Sequence, residues 1–113
     1  MNTYHKYRGI GGYYQGNSGR WIANDFSAVS KVVREEAGNR CEMSLLGQEH
    51  AEDCPRYDQY SECHHRYGRG GGKRQDLIEL ADGTKNLLCL SRACHRIAKI
   101  QRRKPCTESE LLS

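Results

Sequence analysis

Six cysteines and five histidines in a 113-residue chain that is only 36% hydrophobic constrain this fold more than its hydropathy does. A chain of this length and apolar content makes one domain with a small core, and a small core gains from a staple. No N-terminal stretch has the apolar centre of a leader peptide, and no apolar run approaches the ~20 residues that cross a bilayer. The expectation is a cytoplasmic protein with no membrane segment. In that reducing compartment, cysteines beside histidines bind metal more often than they pair, so zinc is the expected staple.

Charge is unevenly spread. Residues 64–104 carry eleven Lys and Arg against three Asp and Glu, whereas residues 41–63 carry one against six. The net charge of +4 therefore conceals a basic half. Clustered Lys and Arg release counterions from phosphates, which makes a nucleic acid the expected partner.

Along the chain, residues 1–23 are rich in Gly, Tyr and Asn without periodicity and read as an irregular arm, with Lys6, Arg8 and Arg20 able to track a nucleic acid. Asp25 can cap a helix over about 26–37, since Phe26, Val29, Val32, Val33 and Ala37 fall at helical spacing and Gly38 can stop it. Cys41 enters a short strand, and residues 47–60 are polar and turn-rich. Ser61 to Arg66 is a strand, residues 66–85 a long loop containing Gly70-Gly71-Gly72, and Asn86 to Leu90 a second strand. A helix is expected from Ser91 to about Lys104, stopped by Pro105, with Leu90, Cys94, Ile97 and Ile100 inward. Its other face would set His95 beside Arg92, Lys99 and Arg102. The fold class is α+β.

The stretch from Cys63 to Ile100 orders its chemistry as His64-His65, then Arg69-Gly70-Gly71-Gly72, then Asn86-Leu87-Leu88-Cys89, then Cys94-His95. In this it resembles the HNH endonucleases, the ββα-metal nucleases, and most closely the small ones of bacteriophages and their bacterial hosts. The resemblance covers the C-terminal half. It implies a nuclease domain over 24–105 with its ββα-metal core at 60–104, a long loop between the two strands, an added N-terminal helix, a zinc knuckle, and a tail at 106–113.

By that resemblance His64 and His95 would hold a divalent metal, His65 would be the general base, and Asn86 would hold the loop and orient His65. A neutral imidazole, with an unperturbed pKa of ~6.5, can both ligate metal and take a proton from water. The products would carry a 5′-phosphate and a 3′-hydroxyl. Lys99 stands where some members carry a further histidine, which favours a water-rich Mg²⁺ or Mn²⁺ over tightly held zinc, with Zn²⁺ or Ni²⁺ as the alternative catalytic ions. The knuckle's second cysteine pair would be Cys89 and Cys94. Ser44 occupies the place of one cysteine of the first pair, so Cys54 or His50 would join Cys41 to complete a structural Zn²⁺ set. Arg66, Arg69, Arg92, Arg96 and Lys99 are candidates to grip DNA phosphates. Cys63 and Cys106 have no assigned role. Neighbours on a regular strand point to opposite faces, so His64 and His65 can share one site only where the strand ends or bulges.

The expected function is metal-dependent hydrolysis of DNA phosphodiesters by nicking or double-strand cleavage. Its rival is a non-catalytic, zinc-stapled module that binds nucleic acid or a partner on the same scaffold. A secreted disulfide miniprotein is a third reading.

Overall fold

The computed structural model describes residues 5–16, 19–68, 76–80 and 82–101. Arg69, the triple glycine, Arg102, Pro105 and Cys106 lie outside them. The described chain is α+β, with two small sheets and two helices.

The first sheet is antiparallel, in the order β1 (Gly12–Gln15), β2 (Arg20–Ala23), β4 (Asp76–Glu79). Its register sets Tyr13 against Ile22 and Ile22 against Leu77, with an irregularity between Trp21 and Ile22 on the β4 side. This corrects the expectation of an irregular arm. Tyr7, Trp21, Ile22 and Ala23 are all buried, and each large apolar side chain buried this way stabilises by roughly 1.5–3 kcal/mol. The turn over residues 5–11 lies directly on β1 because position 12 is glycine: a Cβ there would sit 2.7 Å from Tyr7 Cβ and 3.1 Å from Ile78 Cδ1. His5 stacks on Trp21 with ring centroids 3.7 Å apart and meets Glu79 Oε1 at 2.9 Å.

Helix α1 spans Phe26–Glu36, capped where Asp25 Oδ1 accepts the Ala28 N–H at 3.2 Å. Val29 and Val33 fill a core with Tyr7, Trp21, Ala23, Ile78 and Leu87. The strand expected at Cys41 is absent. The Cys41 N–H instead donates to the Arg56 carbonyl at 2.8 Å, and Met43–Leu46 forms a single 3-10 turn closed by Gly47 at φ 70°.

The second sheet pairs β3 (Glu62–His65) with β5 (Leu87–Leu90) antiparallel, and α2 (Arg92–Ile97) follows β5 directly. Strand alternation gives this ribbon two buried sides. Leu87 belongs to the core under α1, whereas Leu88 and Leu90 join a second core with Met43, Leu46 and Cys94. The connection expected as a loop over 66–85 contains β4, which leaves the ribbon to complete the first sheet. Helix α2 is also shorter than expected. Ala98 is extended at φ −64°, ψ 137°, and Ile97 and Ile100 are exposed rather than inward. Competing polar bonds end it: Gln48 and Lys99 exchange two bonds of 3.1 Å, and the Gln101 N–H donates to the Arg66 carbonyl at 2.7 Å. Lys99 therefore lies beyond the helix and not on one helical face with His95, and the expected place of Arg102 falls outside the described residues. No helix of the described residues is long and apolar enough to cross a membrane.

Candidate metal centres

Beneath the second core lies a tight set of donors. Cys41, His50, Cys54 and Cys94 place their ligand atoms within 4.8 Å of one another. His50 Nδ1 lies 3.4 Å from Cys54 Sγ and 3.6 Å from Cys94 Sγ. A tetrahedral zinc with Zn–S of ~2.3 Å and Zn–N of ~2.0–2.1 Å needs S···N edges of about 3.6 Å. The set is thus close enough to hold one metal ion, with the chemistry of a Cys₃His structural zinc site.

Local backbone structure aims donors at the thiols. The Ala51 N–H donates to Cys94 Sγ at 3.2 Å and the Arg56 N–H to Cys54 Sγ at 3.3 Å. Arg56 sits at φ 67°, a costly conformation for a non-glycine residue, which lets its N–H reach Cys54 while its carbonyl takes the Cys41 N–H. Ser91, the N-cap of α2, accepts the Cys94 N–H and meets Cys54 Sγ at 3.2 Å. Burial opposes ionisation of Cys54, but bonds from Ser91, Arg56 and His50 outweigh it and bring the thiol down to about 6. Burial takes Cys94 the other way, up to about 11. A cation held by this set offsets the charge of thiolates whose ionisation burial opposes.

This corrects the expected ligand set. Both His50 and Cys54 belong to it, and Cys89 does not. Cys89 is cross-strand to Cys63 and its side chain takes the α1 side of the ribbon with that of Leu87, while its N–H and carbonyl are held by Glu42. The usable signals were the His50-x3-Cys54 spacing and the period of two in β5, which sends Cys89 away from Leu88 and Leu90.

On the α2 side of the ribbon, His64 meets His95 with ring centroids 5.4 Å apart and planes at 78°. His64 is 4% exposed, and its Nε2 has no hydrogen-bond partner among the described residues. Burial, and then the neighbouring His95 and His65, push its pKa down to about 4, so the ring is neutral. His95 Nδ1 meets Glu62 Oε1 at 2.5 Å. Glu62 stands two residues before His64 and therefore on the same strand face.

His65 is not brought to this pair. The β3–β5 register runs unbroken through it, and its cross-strand partner is Leu87, so it lies on the α1 side. Its ring stacks on Phe26 at 5.0 Å, and its Nε2 meets Asp76 Oδ1 at 3.1 Å. Asn86 is fully buried and pins the chain that leaves β3. Its Oδ1 accepts the Tyr67 N–H at 2.6 Å, while its Nδ2 donates to the carbonyls of Gly68 at 3.1 Å and Leu77 at 2.7 Å. The group in contact with His65 is Asp76, a residue the sequence did not single out.

The basic candidates separate. Arg66 Nε donates to Gln101 Oε1 at 2.7 Å, which gives it a structural task. Arg92 is paired with Asp58, Arg96 lies 4.0 Å from Asp53, and Lys99 is exposed beyond the helix. No protein-family model, curated protein or solved structure matches this chain.

Proposed function

We propose that the chain is a metal-dependent HNH-type endonuclease acting on DNA, with Cys41, His50, Cys54 and Cys94 holding a structural zinc. The observation that carries this reading is His64 Nε2, a buried nitrogen beside the ring of His95 with no hydrogen-bond partner among the described residues. A buried polar atom without a bond costs roughly 1–3 kcal/mol, so a site that keeps one needs a ligand for it. Both rings come from rigid elements, β3 and α2. Glu62 on Nδ1 of His95 leaves the Nε2 of that ring for a cation, the arrangement in which a carboxylate orients a metal-binding histidine. A Mg²⁺ or Mn²⁺ ion bound there would act as a Lewis acid on the phosphoryl and leaving oxygens.

Asn86 supports the site from below by fixing the turn at Tyr67 and Gly68. The base that the sequence pattern assigns is His65, which Asp76 holds on the α1 side of the ribbon, away from the His64–His95 pair. Its place on the opposite face is the specific observation that favours the second reading, a zinc-stapled nucleic-acid-binding module without turnover. Incubation of supercoiled plasmid with Mg²⁺ or Mn²⁺ separates the two. The nuclease reading expects metal-dependent nicking abolished in His64→Ala and His95→Ala. Nicking that survives His65→Ala would move the base elsewhere, and no nicking with any metal, from folded protein that shifts DNA, would leave the binding module.

A further inference from the structure

We infer that the groove between the metal-binding loop and α2 is a binding site for a phosphodiester, in which Arg92 is the gripping fork and Asp58 and Tyr60 hold that fork in place. The identity of the ligand, the backbone of duplex DNA, rests on the reading above. The groove has a volume of about 550 Å³, and its walls include Asp53 and Asp58 from the loop, Arg92 and Arg96 from α2 and Glu62 from β3.

Asp58 is only 7% exposed. Its Oδ1 accepts the Tyr60 N–H at 2.9 Å, and its Oδ2 accepts both the backbone N–H of Arg92 at 3.0 Å and Arg92 Nε–H at 3.2 Å. The Arg92 guanidinium also lies over the Tyr60 ring, 5.0 Å from its centre. One edge and one face of the fork are thus fixed, while its two terminal amines have no acceptor among the described residues and the side chain is 57% exposed. A guanidinium restrained this way loses little freedom when those amines meet two phosphate oxygens.

The acidic residues do not cancel the site. Asp58 is spent on Arg92, Glu62 is turned to His95 Nδ1, and the Asp53 contact to Arg96 is long and water-screened, with both side chains about three-quarters exposed. Arg96 follows Arg92 by one helical turn and is available for the next phosphate. Glu62 lines the groove and touches His95, so a phosphate gripped by Arg92 lies next to the histidine pair.

The test is equilibrium binding of the zinc-loaded full chain to a short DNA duplex, without Mg²⁺ or Mn²⁺, across ~50–200 mM salt. Arg92→Ala is expected to weaken binding about ten-fold and to lower the steepness of log K against log salt by about one. Asp58→Asn is expected to move both in the same direction, and to add nothing in the Arg92→Ala background. Should Asp58→Asn fail to fold, Tyr60→Leu takes its place with the same expected coupling. The site is overturned if Arg92→Ala leaves the salt dependence unchanged, or if the effect of the supporting variant persists without Arg92. DNA held through Arg92 but never cut would remove the nuclease and keep the site. Cutting with an unchanged salt dependence in Arg92→Ala would do the reverse, and a protein that binds no duplex loses both.

Discussion

Asn86 shows how much one side chain can hold. It satisfies an N–H and a carbonyl of the turn after β3 and a carbonyl of β4 while fully buried. Asn86→Ala leaves all three groups stranded, and should cost about 3 kcal/mol in denaturant unfolding. Asp58 predicts a pH dependence. The Arg92 N–H, followed by other donors, holds its carboxyl below the usual range against the opposing effect of burial. Its stabilisation is therefore full above the unfolded value of ~3.9 and lost as pH falls through the lower folded value. Stability measured against pH should show a shallower acid limb in Asp58→Asn. At this scale the meeting of His64 with His95 was legible, because both lie on short regular elements, whereas the expected sharing of one site by His64 and His65 is not met. The choice of His50 over Cys89 was not legible, because it depends on which side of a strand a thiol takes and on a loop that brings His50 to Cys94, 44 residues further along.

Among elements, α1 and β5 were readable because eleven residues of helical period and an unbroken apolar run leave few alternatives. β1 and β2 were hidden by glycine and by strands of four residues, too short for alternation to register. β4 was lost inside a charged loop, where Leu77 and Ile78 are its only apolar pair. Helix α2 was overdrawn because its stop is tertiary, made by Gln48 and Arg66 rather than by Pro105. The close approach at β1 gives a test of the sheet. Gly12→Ala introduces a methyl carbon 2.7 Å from Tyr7 Cβ, neither end of which is a flexible tip. A loss of about 1–3 kcal/mol, read from thermal or denaturant unfolding, is the expected outcome of that overpacking.

For the whole molecule, the four donors placed to hold a metal ion come from three parts of the chain around the second core: the segment after α1, the loop before β3, and α2. One equivalent of zinc should be retained by Cys89→Ser and lost by Cys54→Ser, as counted by elemental analysis of the purified variants. Stripping the metal with a chelator should lower the melting temperature by more than about 10 °C. The β3–β5 ribbon adds a further consequence, because it works as a party wall with a tenant on each side. The chain's one tryptophan, Trp21, lives with α1, while the donors placed to hold a metal live with α2. Tryptophan fluorescence would then stay quiet while amide exchange along α2 reports the metal's departure, and the interval between the two signals would time how long one room stands after the other has emptied.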